Sequence, residues 1–194
     1  MSVISWLPGP PSGLVRSRLS TLRLNPHFGL FTHGATEWAL EALEFEKGVD
    51  FNIVEPGVDI DAVDSVSASR PEMYEALGLD RAALLGVTTA RLVPVKNHTL
   101  LLDAIAIAKK RGVVWNWLVI GNGPTEQGLK AQAGRLGIAQ QVHFMGYKAQ
   151  SEVHRWLSVA DVFVLTSFYE SFSIATLEAM AHRLPVVSTN VGYL

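Results

Sequence analysis

The chain has 194 residues, a formal net charge of −2 and 48% hydrophobic residues, enough to bury a substantial core in about one domain. Near-neutral charge argues against a nucleic-acid partner held by phosphate neutralisation, and no apolar run reaches the length of a membrane span. The absence of cysteine excludes disulfides and thiolate metal sites. Because it also fits a reducing compartment, we expect a cytoplasmic protein, either free or at the inner face of the membrane.

The first 32 residues are predicted to form an irregular segment or linker. The run Pro8–Gly13 is rich in proline and glycine, which break regular elements. Arg16, Arg18 and Arg23 follow with leucines between them. This strip has two interpretations, contact with anionic lipid headgroups or a solvated linker, and the linker is favoured.

A regular domain is predicted from residue 33 to residue 194. Apolar spacing predicts a helix over 36–47, which ends before Gly48, and a short strand follows over 51–59. Strands and helices then alternate along the rest of the chain. The strands are predicted at 84–89, 115–120, 141–145, 162–166 and 185–189, and the helices at 96–111, 125–136, 150–159 and 172–182.

This alternation predicts an α/β fold with a doubly wound, Rossmann-like parallel sheet. The continuous apolar runs WLVI and VFVL fit strands that are buried on both faces. The sequence ends just after a strand, where a further helix and strand normally follow. We therefore expect the sheet to be incomplete at its C-terminal end.

Ligands of open parallel sheets bind at the carboxyl ends of the strands, so the loops that follow the strands deserve comparison. The first unusual loop, 90–96, places Arg91 and Lys96 before a helix. The start of a helix carries partial positive charge, and two cations there would be stabilised by an anion such as phosphate. Two solvated cations explain the loop equally well.

Two further loops contain glycines. Gly121-Asn122-Gly123 would allow a ligand to approach the backbone closely, although Glu126 replaces the third glycine of a dinucleotide fingerprint and a tight turn is an equal explanation. In the next loop, Tyr147 either faces a nucleobase or packs over the sheet edge, and packing is slightly favoured.

The fourth loop leads from the strand VFVL into a helix and carries two carboxylates, Glu170 and Glu178. A carboxylate buried in an apolar helix is costly unless it is paired or bound, and its oxygens would suit a ribose diol. Backbone amides over 171–174 could bind phosphate. Alternatively, Ser171 or Ser173 caps the helix, the helix dipole stabilises the carboxylate of Glu170, and Glu178 lies on the surface.

The six histidines do not cluster at the spacing of metal ligands. Five of them are expected to lie alone and to be structural: His33, His98, His143, His154 and His182. The sixth, His27, falls in the irregular segment.

Five motifs follow one another along the chain: GVD at 57–59, RLVPVK at 91–96, GNGP at 121–124, HFMGY at 143–147 and ESFSIATLEAMAHRLPVVST at 170–189. In this order they resemble the C-terminal, donor-binding half of retaining GT-B glycosyltransferases of family 4, the glycosyl transferases group 1. The resemblance covers residues 33–194, and the last motif is highly specific.

The resemblance implies a role for each matching residue. Arg91 and Lys96 would bind the donor diphosphate and stabilise charge on the departing nucleotide. Glu170 would contact the donor sugar, which makes Arg91, Lys96 and Glu170 the implied catalytic residues. The implied donor-binding residues are Gly121, Asn122, Gly123, Tyr147, Phe172, Ser173, Ile174 and Glu178, with Glu178 on the ribose hydroxyls.

The resemblance also implies a reaction: transfer of a hexose from a nucleotide-diphosphate-sugar to a glycan or lipid-linked sugar, with retention of configuration. It implies polysaccharide or glycolipid biosynthesis, no metal or other cofactor and peripheral contact with a membrane. It also implies an N-terminal GT-B domain, either missing because the chain is a fragment or supplied by a partner. The alternative is a truncated or degenerate module that binds a nucleotide or nucleotide-sugar without turnover. The chain departs from the usual family glycines at Ala90, Asn97, Ser171, Ser173, Arg183 and Tyr193.

Overall fold

A computed structural model describes residues 57–79, 83–170 and 172–191. All of them belong to one compact unit that begins at Gly57. The predicted segment 1–32, the helix over 36–47 and most of the strand over 51–59 lie outside the described residues, as do Ser171 and Tyr193. Within the described part of the chain, no helix has the length and apolar character needed to cross a membrane.

Five parallel strands form one sheet in the order β3-β2-β1-β4-β5, which confirms the predicted doubly wound fold. The strands are β1 Leu85–Thr89, β2 Asn116–Ile120, β3 Val142–Gly146, β4 Val162–Leu165 and β5 Val186–Ser188. Each lies within one or two residues of its predicted range. The chain order reverses between β1 and β4, because β2 and β3 were added on one side of β1 and β4 and β5 on the other.

Six α-helices lie within the described residues. They are α1 Ile60–Asp64, α2 Arg70–Ala76, α3 His98–Lys110, α4 Glu126–Arg135, α5 Gln150–Val159 and α6 Ile174–Ala181. Helices α3 and α4 cover one face of the sheet, whereas α2, α5 and α6 cover the other. Side chains alternate between the two cores along each central strand: Leu118 and Ile120 face the second group, and Val119 faces the first. This accounts for the continuous apolar runs in the sequence.

Helices α1 and α2 were not predicted, and the strand predicted over 51–59 is wrong in its described part. Residues 57–59 are irregular, and the side chain of Asp59 accepts a hydrogen bond from the backbone of Ala62 at the start of α1. Helix α2 begins at the cap Ser69 with a proline in its first turn, and Glu72 stands three residues after the cap. That spacing is typical of a helix start, so the sequence did contain a signal for α2.

An ion pair ties α2 to the sheet. The guanidinium of Arg70 donates to both carboxylate oxygens of Asp161, at 2.8 and 2.9 Å, and Asp161 also accepts from the backbone of Leu85 at 2.8 Å. Paired parallel bonds of this kind fix orientation as well as distance. Asp161 precedes β4 and Leu85 begins β1, so one carboxylate positions α2 and the two strands at the centre of the sheet.

Four helices end in the same way, with a residue in the left-handed conformation just after the cap. In three of them this residue is a glycine: Gly78, Gly112 and Gly137, with φ of 66°, 82° and 68°. After α6 it is Arg183, with φ of 60°. The backbone N–H groups of Arg183 and Leu184 return to the carbonyls of Met180 and Ala179, which is the Schellman arrangement. Arg183 therefore occupies a glycine position, as the family resemblance implied.

The strain at Arg183 can be measured. A left-handed conformation costs a residue with a side chain about 1–2 kcal/mol. Glycine avoids this cost, but its unfolded state has more conformational freedom, which cancels part of the gain. Arg183→Gly should therefore raise the free energy of unfolding by about 0.5–1 kcal/mol. The matched control Arg155→Gly, at an exposed helical position in α5, should lower it by about 1 kcal/mol. Urea denaturation of both variants checks the prediction. Equal destabilisation by the two substitutions would contradict it.

Candidate functional site

The reversal of strand order between β1 and β4 places two loops beside each other at the carboxyl edge of the sheet. One loop, 90–97, follows β1, and the other, 166–173, follows β4. In open parallel sheets the crevice at such a reversal is where ligands bind. The first loop carries Arg91 and Lys96, and the second carries Glu170, so the predicted catalytic residues all lie on the two loops at this point.

Lys96 and Glu170 form an ion pair between the two loops. The Nζ of Lys96 lies 2.6 Å from Oε1 of Glu170, and the hydroxyl of Ser167 donates to the same oxygen at 2.7 Å. Only 7% of Glu170 is exposed, whereas a quarter of the Lys96 side chain reaches solvent. The cation and the hydroxyl together offset the cost of burying this carboxylate. Sequence reasoning did not single out Ser167.

Two further hydrogen bonds join the loops, and each is accepted by a backbone carbonyl of the first loop. The amide of Phe168 donates to the carbonyl of Val95 at 2.8 Å, and the hydroxyl of Thr166 donates to the carbonyl of Asn97 at 3.0 Å. Asn97 adopts a left-handed conformation, φ 47°, between a 3₁₀ turn at Pro94–Lys96 and the start of α3. Asparagine tolerates this conformation better than most residues, which explains how it replaces the family glycine.

The helix predicted over 96–111 therefore begins two residues late. Lys96 ends a separate 3₁₀ turn, and α3 starts at His98 after the left-handed residue Asn97. As a consequence Lys96 is held by the turn before the helix rather than by the helix itself.

Arg91 differs from Lys96 in its surroundings. Arg91 is exposed, and it makes no ion pair or side-chain hydrogen bond within the described part of the chain. Its neighbour Leu92 is fully buried, and the amide of Leu92 donates to the carbonyl of Asn122 at 2.9 Å. The backbone around Arg91 is thus anchored, while its side chain is exposed and unpaired among the described residues.

The two glycines of Gly121-Asn122-Gly123 are required by loop packing. Gly121 has φ of 134°, and a Cβ atom there would collide with the carbonyl oxygen of Ala90. A Cβ atom on Gly123 would collide with the carbonyl oxygen of Leu92. The glycines let this loop lie directly against the backbone that carries Arg91. The structure thus supplies a packing reason for them, and their contact with a ligand stays a prediction.

Glu178 is a buried carboxylate on α6, with 9% of the residue exposed. The alternative that placed it on the surface is therefore wrong. The side-chain amide of Gln150, at the start of α5, donates to its Oε1 at 3.1 Å. No cation pairs with Glu178 among the described residues, in contrast to Glu170. Gln150 was not identified from the sequence.

The start of α6 confirms one of the two capping alternatives. The hydroxyl of Ser173 accepts from the amide and from the hydroxyl of Thr176, at 3.3 and 2.9 Å. The helix begins at Ile174 instead of the predicted Phe172, because Ser173 is its cap. The amides of the first turn, at Ile174 and Ala175, have no acceptor within the helix and can bind an anion. Phe172 is half-buried just before the cap.

Tyr147 follows Gly146 at the carboxyl end of β3 and is 76% exposed. The expectation that it packs over the sheet edge is therefore wrong. Its ring is open to solvent at the same edge as the other predicted site residues.

Two histidines that were expected to lie alone are in contact. Nδ1 of His154 lies 2.9 Å from Nε2 of His182, and the rings are 5.1 Å apart between centroids. The pair joins α5 to α6 one helical turn beyond Gln150 and Glu178. In the described part of the chain no three His, Asp or Glu side chains are grouped so that they could hold a metal ion.

A separate open groove of about 660 Å³ lies between α3 and α4. It is lined by Thr99, Asp103, Pro124, Thr125, Gly128, Leu129, Gln132, Arg135 and Leu136. None of the predicted site residues lines it. The side-chain amide of Gln132 donates to Asp103 at 2.9 Å and so joins the two helices at the groove.

The model of the family "Glycosyl transferases group 1" matches residues 70–194, and the chain belongs to this family. A D-inositol 3-phosphate glycosyltransferase from Streptomyces avermitilis is 34% identical over 163 residues, which are 78% of this chain and 34% of that protein. The enzyme of the same name from Mycolicibacterium gilvum is 34% identical over 149 residues, 74% of this chain and 32% of that protein. The chain thus spans about a third of the length of these curated relatives.

Solved structures share the fold. A glycosyltransferase from Rickettsia africae superposes with a TM-score of 0.73 at 16% identity, over 97% of this chain and 50% of that one. Anabaena HepE, solved in complex with UDP-glucose, has a TM-score of 0.68 at 23% identity, over 84% of this chain and 45% of that one. The Rossmann-like sheet described above is therefore a fold found in glycosyltransferases.

The buried histidines predict how stability depends on pH. Burial, and then the charge of Lys96, lower the pKa of His98 from 6.5 to about 4, and burial lowers the pKa of His143 and His182. Since the unfolded chain binds these protons more tightly, the stability that depends on these neutral histidines is fully present above pH 6.5 and is lost as the pH drops towards 4. Urea denaturation at pH 7.5 and 5.0 should show a smaller loss for His98→Gln than for the wild type. Parallel losses in the two proteins would contradict the assignment to His98.

Proposed function

We propose that this domain binds a nucleotide-diphosphate-sugar at the carboxyl ends of β1 and β4 and forms the donor half of a retaining, family 4 glycosyltransferase. The observation that carries the proposal is the Lys96–Glu170 ion pair, which places a cation and a buried carboxylate across the reversal of strand order. Such a pair offers a charge of each sign to a ligand that has both anionic phosphates and sugar hydroxyls.

The phosphates have two kinds of partner. Arg91 is free of ion pairs with the described residues, and Lys96 has two further ammonium protons besides the one that faces Glu170. The first-turn amides of α6 add donors that already carry partial positive charge. As the bond to the sugar breaks, negative charge grows on the leaving diphosphate, and fixed donors at that position lower the barrier.

The two glutamates would accept hydrogen bonds from the hydroxyls of the donor. Oε1 of Glu170 already accepts from Lys96 and Ser167, while its Oε2 has no partner in the described part of the chain, so that oxygen would accept from the donor sugar. Oε1 of Glu178 accepts from Gln150, which leaves Oε2 for the ribose. Tyr147 would flank the base. The two carboxylates would thus hold the two sugar rings of the donor.

The acceptor, a glycan or lipid-linked sugar, would be presented by an N-terminal GT-B domain or by a partner that supplies it. We also propose that no metal is needed, because the cations and the helix start would balance the diphosphate, and that the protein acts in the cytoplasm or at the inner face of the membrane. The alternative is nucleotide-sugar binding without turnover. Release of free sugar from the donor by this chain would exclude that alternative.

Calorimetry with UDP, GDP and ADP tests the site. We expect one nucleotide to bind, and Lys96→Ala to weaken it about tenfold through loss of a charge-assisted contact with phosphate. Glu170→Gln should leave the affinity unchanged or higher because it frees Lys96, while it weakens the matching nucleotide-sugar. The control Lys130→Ala removes an exposed ion pair on α4, with Glu126, and should have no effect.

Lys96→Ala leaves Glu170 buried without its cation, so the double variant Lys96→Ala/Glu170→Gln separates misfolding from lost binding. We expect this double variant to be as stable as the wild type within about 1 kcal/mol and still about tenfold weaker for the nucleotide. The donor-site proposal is overturned if none of the three nucleotides binds, or if removal of Lys96 leaves the affinity unchanged.

A further inference from the structure

Helix α5 contributes a side chain to the neighbourhood of Glu178 that the family motifs do not include. Gln150 is the first residue of α5, and its amide nitrogen lies 3.1 Å from Oε1 of Glu178 on α6. Glu178 is buried, whereas Gln150 is exposed. The contact therefore lies at the outer end of the interface between the two helices, where a solvent-borne ligand can reach the carboxylate.

The chemical type of this partner matters. Glu170 is paired with a cation, whereas in the described part of the chain Glu178 has only a neutral amide donor. An amide donor carries no charge, so its hydrogen bond sets the direction of the carboxylate and leaves the second oxygen as an acceptor. A carboxylate held in this way suits hydroxyl donors better than it suits phosphates.

The helix pair is also held in register at the next turn. His154 lies four residues after Gln150, His182 lies four residues after Glu178, and these two histidines are 2.9 Å apart. Successive side-chain pairs on the facing surfaces of α5 and α6 therefore keep the start of α5 beside Glu178. A side chain at position 150 is thereby placed to act on the carboxylate.

We propose that Gln150 is a positioning residue that orients Glu178 towards the ribose diol and so sets the preference of the site for ribonucleotides over 2′-deoxyribonucleotides. This inference rests on the proposed donor site. A site built to accept hydrogen bonds from hydroxyls discriminates strongly against a ligand that lacks one, because the acceptor is then left without its partner. Gln150 sharpens the discrimination because it restricts Glu178 to one orientation.

The test compares two ligands by calorimetry: UDP, or GDP or ADP where that binds more tightly, and the 2′-deoxy form of the same nucleotide. For the wild type we expect the ribonucleotide to bind about tenfold more tightly. Gln150→Ala should weaken the ribonucleotide about fivefold and the deoxynucleotide less than twofold, so the preference shrinks to about two- or threefold. The control Gln127→Ala, at an exposed position on α4, should leave both affinities unchanged.

A double-mutant cycle separates positioning from a general structural role. If Gln150 acts through Glu178, Gln150→Ala should have no further effect in the Glu178→Ala background. Equal weakening of both nucleotides, additive effects in the double variant, or unchanged affinities would overturn the role of Gln150 while leaving the donor site standing. If no nucleotide binds the wild type, the donor site itself fails, and this inference fails with it.

Discussion

The arrangement of the site depends on one ion pair, Lys96–Glu170, which joins the loops after β1 and β4. Glu170 is nearly inaccessible to solvent, so without Lys96 and the hydroxyl of Ser167 its burial would carry a large cost. The same two loops are also joined by hydrogen bonds from the amide of Phe168 to the carbonyl of Val95 and from the hydroxyl of Thr166 to the carbonyl of Asn97. The reversal of strand order brings the loops together, and the ion pair fixes the side chains that they carry.

The cost of burying a carboxylate is offset in different ways at the two glutamates. Glu170 is balanced by a cation on the neighbouring loop, whereas Glu178 is held by the amide of Gln150 on a neighbouring helix. In the proposed donor site, Lys96 would be shared between Glu170 and a phosphate, whereas Glu178 would accept hydrogen bonds from hydroxyls. This difference agrees with the roles that the family resemblance implied, in which Glu170 contacts the donor sugar and Glu178 the ribose.

Local patterns in the sequence predicted most of the fold. Strand runs and helix ends are encoded within a few residues, so the sheet and helices α3–α6 fell close to their predicted ranges. The glycine position at Arg183 was recognised from the family resemblance. The short helices α1 and α2 were missed because five and seven residues give little periodicity. The contacts Gln150–Glu178 and His154–His182 join residues 28 positions apart, and only the packing of α5 on α6 brings them together.

The structure of this chain in complex with a nucleoside diphosphate tests the central claim most directly. The account predicts the diphosphate beside Lys96 and the first turn of α6, with a phosphate oxygen within hydrogen-bonding distance of the Nζ of Lys96 and a ribose hydroxyl at the same distance from Glu178. A nucleotide bound instead in the groove between α3 and α4, with the Lys96–Glu170 pair and Glu178 untouched, would contradict it.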